Sequence, residues 1–226
     1  SHGPQNYNCV AAISAFDAIL RLDHITLRDI DSNPIATRYT DIVISNSYVH
    51  SKVLGDLTNV KFGKAKIVNC YYEGNNFKDT DGIDFDGVHG GLINNVTIED
   101  LEGMNSDAVD VRGQSSNILI DSLMAFNIKD KGLSVGQRSN VSITNSTFIK
   151  TTLGVAVKDS SSVMVDHCTF YAIQDPVACY EKAFGRAGGN EFVSHSILSN
   201  SYDKTVLCDA KSYVSISNCI SDNDTL

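Results

Sequence analysis

The chain has 226 residues, a net charge of −9, 20% charged residues, three Pro and no Trp. An acidic chain without a basic stripe is a poor match for nucleic acid, and no apolar run approaches the roughly 18 residues of a membrane span. Hydrophobic residues, at 42%, suffice for one continuous core.

The start, Ser1-His2-Gly3, reads as a cloning remnant, so a preceding targeting segment is expected to have been removed. Ala11 to Leu22 is apolar, and Ala18-Ile19-Leu20-Arg21-Leu22 alternates like a strand. Residues 1–23 are therefore expected to form an N-terminal cap or an incomplete first rung, and 24–226 the repeating body.

One pattern then recurs: two apolar residues at alternate positions, an Asn-like residue two further on, and another apolar residue. Its clearest copies run from Val141 to Phe148 and from Val163 to Phe170. Alignment on the second apolar position gives Leu27, Ile44, Ile67, Ile93, Ile120, Ile143, Val165, Val193 and Ile216. The Asn-like position two residues on gives Asp29, Asn46, Asn69, Asn95, Ser122, Asn145, His167, His195 and Asn218. Rungs of a β-coil stack about 4.8 Å apart, a spacing at which Asn amides bond to one another, so this column is expected to be an inward-facing structural ladder. Asn95, Asn140 and Asn145 also begin N-glycosylation patterns, but inward-facing Asn would be inaccessible, which favours the ladder. His167 and His195 share the column, which argues against a metal role for them.

A second alternating strand lies between these copies, as Ile83-Asp84-Phe85-Asp86, Val109-Asp110-Val111-Arg112, Leu133-Ser134-Val135-Gly136 and Val155-Ala156-Val157-Lys158, with weaker copies from Ile35, Val53, Val177 and Val206. Short strands of period two, recurring about every 22 residues without any helical period, predict an all-β fold: a single-stranded right-handed parallel β-helix of about nine rungs. The body runs nearly to the last residue, so the chain is expected to be part of a larger protein or to stack end to end on a neighbour.

Outward positions of the second strand form two columns. One reads Asp84, Asp110, Ser134, Ala156; the other reads Asp86, Arg112, Gly136, Lys158, Tyr180. Asp84 beside Asp110 is a like-charge pair that needs a compensating cation. Asp84, Asp86 and Asp110 are thus expected to hold Ca²⁺, or else to be neutralised by Arg112 and Lys158, with Gly136 leaving a gap between these two. The turn before the strand adds Asp81, Asp107 and Lys131. Asp81 and Asp107 read either as a general acid–base pair or as turn caps. The loop from Glu181 to Asn190 places Lys182 and Arg186 near Tyr180, where they would line a carbohydrate groove with Asp86, Arg112 and Lys158. Cys179 and Cys208 fall on consecutive rungs, either bridged or as buried thiols.

The runs Asp81-Gly82-Ile83-Asp84-Phe85-Asp86, Asp107-Ala108-Val109-Asp110-Val111, Lys131-Gly132-Leu133-Ser134-Val135-Gly136 and Gly154-Val155-Ala156-Val157-Lys158-Asp159 resemble the right-handed β-helix repeats of the pectate-lyase-like and NosD-like group, found in bacterial surface proteins beside CotH-kinase-like and lamin-tail-like modules. This resemblance implies a secreted or cell-surface β-helix associated with carbohydrate. More locally, Asp79-Thr80-Asp81-Gly82, Asn105-Ser106-Asp107-Ala108, Lys131-Gly132-Leu133-Ser134 and Val155-Ala156-Val157-Lys158 are similar, in order, to four motifs of polygalacturonase-type glycosidases. Asp81, Asp107 and Lys158 match those motifs, whereas Ser106, Lys131 and Ala156 stand where the family carries a carboxylate, a His and an Arg. Three functions follow as expectations. The first is an extracytoplasmic module that interacts with polysaccharide, acidic sugars above all. The second is an enzyme on acidic polysaccharide, a lyase before a hydrolase, with Lys131, Arg112 or Lys158 as base. The third is a structural spacer or adhesin stalk.

Overall fold

A computed structural model of the protein describes residues 11–222. Residues 1–10 of the expected cap and the last four residues lie outside the described residues. Within the described residues every named element is a β-strand and every strand pairing is parallel. None of them forms a helix long and apolar enough to cross a membrane.

The chain winds as a parallel β-helix of about nine turns with three rows of strands. In chain order each rung runs through a site row, a ladder row and a short return row. The site row begins with Ala11–Phe16, Asn33–Arg38, Thr58–Lys61, Ile83–Asp86 and Val109–Arg112. It continues through the second halves of Ser116–Val135 and Thr147–Lys158 to Asp175–Tyr180 and Val206–Cys208. In the ladder row, Leu22, Ile44, Ile67, Ile93, Ile120, Ile143, Val165, Val193 and Ile216 are successive register partners.

The ladder row corrects two expectations. Leu22, not Leu27, aligns with Ile44; Leu27 pairs with Val49 in the return row. The residue equivalent to Asn46 is therefore His24, not Asp29. The Asn-like column also does not face inward. His24, Asn46, Asn69, Asn95, Ser122, Asn145, His167, His195 and Asn218 all have positive φ and all are exposed. A corner between two strands needs one residue in the left-handed region, where Asn is tolerated better than most side chains. The column is selected by backbone conformation at the corner, and its amides bond along the outside, as from Asn69 to Asn46 and from Asn95 to Asn69. The ladder that does face inward is one residue later: Ser47, Cys70, Val96, Leu123, Ser146, Cys168 and Ser196 are buried. Ser47, Ser146 and Ser196 accept backbone N–H groups from the preceding rung.

The core is the stack of inward apolar side chains from all three rows. Phe148 and Phe170, from the return row, stack with centroids 5.1 Å apart. They fit because Gly132 and Gly154 precede the facing site-row strands. A β-carbon there would lie 2.2 Å from Phe148 and 2.7 Å from Phe170. Cys179 and Cys208 are register partners with free thiols; Cys179 donates to the buried Glu191 at 3.6 Å.

Candidate functional site

Parallel register brings the expected columns together on the outer face of the site row. Asp84 pairs in register with Asp110 and then Ser134, and Asp86 with Arg112. Lys158 pairs with Tyr180. One rung earlier the strand is Thr58–Lys61 rather than a copy starting at Val53, because the segment from Val53 to Leu57 forms a turn. That shift adds Asn59 beside Asp84 and Lys61 beside Asp86, two neighbours missed because a wrong starting residue displaces every alternate side chain.

A continuous chain of polar contacts crosses five rungs. Asn59 donates from Nδ2 to Asp56 at 2.6 Å and to Asp84 Oδ2 at 2.7 Å. Arg112 donates from Nη2 to Asp84 Oδ2 at 2.7 Å and lies 3.8 Å from Asp86 and 3.9 Å from Asp110. Ser134 donates to Asp110 at 2.7 Å, and Lys158 donates to Ser134 at 2.6 Å. Gly136 is the gap through which Lys158 crosses: a β-carbon there would lie 3.0 Å from Lys158 Cε. Although these side chains point away from the core, Asp84 and Ser134 are wholly buried and Lys158 nearly so.

The turn before each site-row strand carries a second ladder. Asp56 accepts the N–H of Asp81, Asp81 that of Asp107, and Asp107 that of Lys131. Asp81 and Asp107 therefore cap successive turns. The Lys131 ammonium lies 3.2 Å from Asp107 and also contacts Asp130.

These surroundings sort the titrating groups. Burial pushes Asp84 up to about 8 and Asp107 up to about 6, and burial with the neighbouring Asp107 raises Asp81 well above the usual carboxylate range. Burial opposes charge on Lys131, yet Asp107 and Asp130 outweigh it and hold the ammonium above its ordinary value. On Lys158 burial wins over Asp110 and Asp107, and the amine is lowered. Among the described residues Lys158 makes no ion pair, which distinguishes it from Lys131.

Calcium would need the carboxylates of Asp84, Asp86 and Asp110 to converge on one ion with free oxygens. The Arg112 guanidinium already lies among all three. The residues present do not fit a calcium ion while Arg112 is there, so the like-charge pair is compensated by a protein cation.

The loop after Tyr180 is tied down by Asp159, whose Oδ1 accepts the N–H groups of Lys182 and Ala183 at 3.0 and 2.9 Å. Gly188 forms an isolated bridge with Lys158. Lys182 is exposed near Lys158. Arg186 lies apart from the polar chain, in a cleft of about 360 Å³ lined by Gly113, Gln114, Gln137, Arg138, Asp159 and Arg186. Sequence periodicity gave no signal for Arg138, which sits in a turn.

A family model described as "Right handed beta helix region" matches residues 14–183 and 107–225. A search of curated proteins found no match. A solved structure described as "Crystal structure of Agl-KA catalytic domain" is 12% identical, aligning with 90% of this chain and 47% of that one at a TM-score of 0.33. This chain spans about half the length of that structure, and a likeness so weak carries no argument here.

Proposed function

The chain belongs to the right-handed β-helix family, and from that fold and the polar outer face of its site row we propose that it binds polysaccharide along that row, as an extracytoplasmic module of a larger secreted or surface protein. The observation that carries this reading is Lys158. A buried lysine without an ion pair is costly, and this one, its ammonium bonded to Ser134 alone among the described residues, lies beside Tyr180 at one end of a polar chain in which Asp84 Oδ1 has no hydrogen-bond partner. A sugar fits beside this face: its hydroxyls donate to Asp86 and a uronate carboxylate accepts from Lys158, with exposed Lys182 nearby in the loop after Tyr180 and Arg186 apart from them in the cleft beside Arg138.

A second reading is a lyase on acidic polysaccharide. The lowered Lys158 amine favours it, because a general base works best with a pKa near the working pH. Lys131, held charged by two carboxylates, is a poorer base. Asp81 and Asp107, engaged as turn caps, fit a hydrolase less well.

The experiment is binding of the chain to pectate, alginate, glycosaminoglycans and a neutral glucan, with ultraviolet detection of unsaturated product, each with and without calcium. Binding to at least one acidic polymer is expected, independent of calcium and weakened about tenfold or more by Lys158→Gln. Absence of binding across the panel overturns the proposal and leaves the structural spacer. Product formation replaces the binding module with the lyase.

A further inference from the structure

The corner between the ladder row and the return row carries a cluster outside the face described above. Asp166 ends one ladder-row strand, His167 occupies the exposed corner after it, and His195 occupies the same corner one rung on. The two imidazoles stack with centroids 5.0 Å apart and planes 21° from parallel. Both turn Nδ1 toward one carboxylate: His167 lies 2.8 Å from Asp166 Oδ2, and His195 lies 2.8 Å from Asp166 Oδ1. One ligand atom from each of the three lies within 4.8 Å of the others.

From this convergence we infer that Asp166, His167 and His195 form a binding site for an imidazole-preferring divalent cation of the zinc type. Two imidazole nitrogens and one carboxylate oxygen are a common set for zinc, with a remaining position open to solvent. Tetrahedral zinc with bonds near 2.0 Å sets its ligands about 3.3 Å apart. Rotation of exposed rings closes that difference without moving the rungs. The supporting contacts are in place. Ser194 donates to Asp166 Oδ1 at 2.7 Å. The Asn218 amide lies 3.4 Å from His195 Nε2. The atom placed there is Nδ2; turning the amide over puts its oxygen toward the ring, where it accepts the Nε2 proton and leaves the Nδ1 lone pair for the metal. The other Asp–His corner, Asp23-His24, has Asn46 on the next rung in place of a second imidazole, so it offers one nitrogen only.

The column supplies its own control, because Asn46, Asn69, Asn95, Asn145 and Asn218 occupy the same left-handed corner elsewhere. His167→Asn/His195→Asn therefore keeps the corner and removes both imidazoles. Zinc is titrated calorimetrically into the chelator-treated chain, and melting is followed with and without zinc. The wild type is expected to bind one equivalent and to melt higher with zinc. The double variant is expected to keep the metal-free melting temperature and to lose at least tenfold in affinity. His195→Asn alone, which leaves His167 on Asp166, reports the same loss should the double variant fold poorly. Wild-type affinity no greater than that of the variants, or no binding at all, overturns the inference and leaves a purely structural ladder.

Discussion

Asp84 is wholly buried on an outward-facing strand, with Oδ2 shared by Asn59 and Arg112 and Oδ1 bare. Its carboxyl, pushed up to about 8 by burial, lies above the ordinary value of 3.8. A carboxyl raised in the folded state contributes stability fully below the unfolded pKa, and that contribution is lost as pH rises through the folded pKa. Stability is therefore expected to fall between about pH 4 and pH 8 through Asp84, with Asp107 adding its share near 6. Asp84→Asn should flatten the upper part of that decline, as read by urea unfolding at several pH values; an unchanged profile would place the shift elsewhere. Residue identity and register made most of this cluster legible. Arg112 was already expected as one of two ways to neutralise Asp84 and Asp110. Asn59 was not, because the turn from Val53 to Leu57 breaks the alternation that the eye follows.

At the scale of a strand, Glu191 is an exception to the apolar inward column. It pairs in register with Val163 before it and Val214 after it, is wholly buried, and has Oε1 without a partner. Burial raises its carboxyl well above the ordinary range, and the Cys179 thiol donates to it at 3.6 Å. An unsatisfied buried polar group costs about 1–3 kcal/mol. Glu191→Val, which continues the column, is expected to raise stability by about 1–2 kcal/mol in urea unfolding; a loss of stability would mean that the carboxyl is needed. The ladder column shows the opposite side of sequence reading. Its recurrence was plain, yet its direction was misjudged, because a left-handed corner and a buried amide ladder both select Asn. The same misjudged direction made the Asn95 and Asn145 patterns look inaccessible, whereas both residues are exposed.

Each rung of a solenoid contacts only its neighbours, so stability is a sum of rung and interface terms, and central rungs have two neighbours where terminal ones have one. The burial follows this rule. Ile93, Ile120 and Ile143 are fully enclosed, while Leu20 and Leu22 at one end and Val214 and Ile216 at the other are only partly buried. Amide hydrogen exchange is expected to be slowest in the ladder-row strands around Ile93 to Ile143 and progressively faster toward Ile19–Asp23 and Tyr213–Ser217. Uniform protection from end to end would instead mean that the rungs open as a single unit.

The sequence by itself determined the fold class, the approximate rung count and most of the register. Period-two alternation fixes which residues face the core, and repetition fixes which residues stack. Only the tertiary structure decided what the stacked residues do. The position of Arg112 among three carboxylates, the crossing of Lys158 over Gly136 and the meeting of His167 with His195 on one Asp each depend on side-chain reach between rungs. Reach is set by rotamer and burial, which the repeat leaves free.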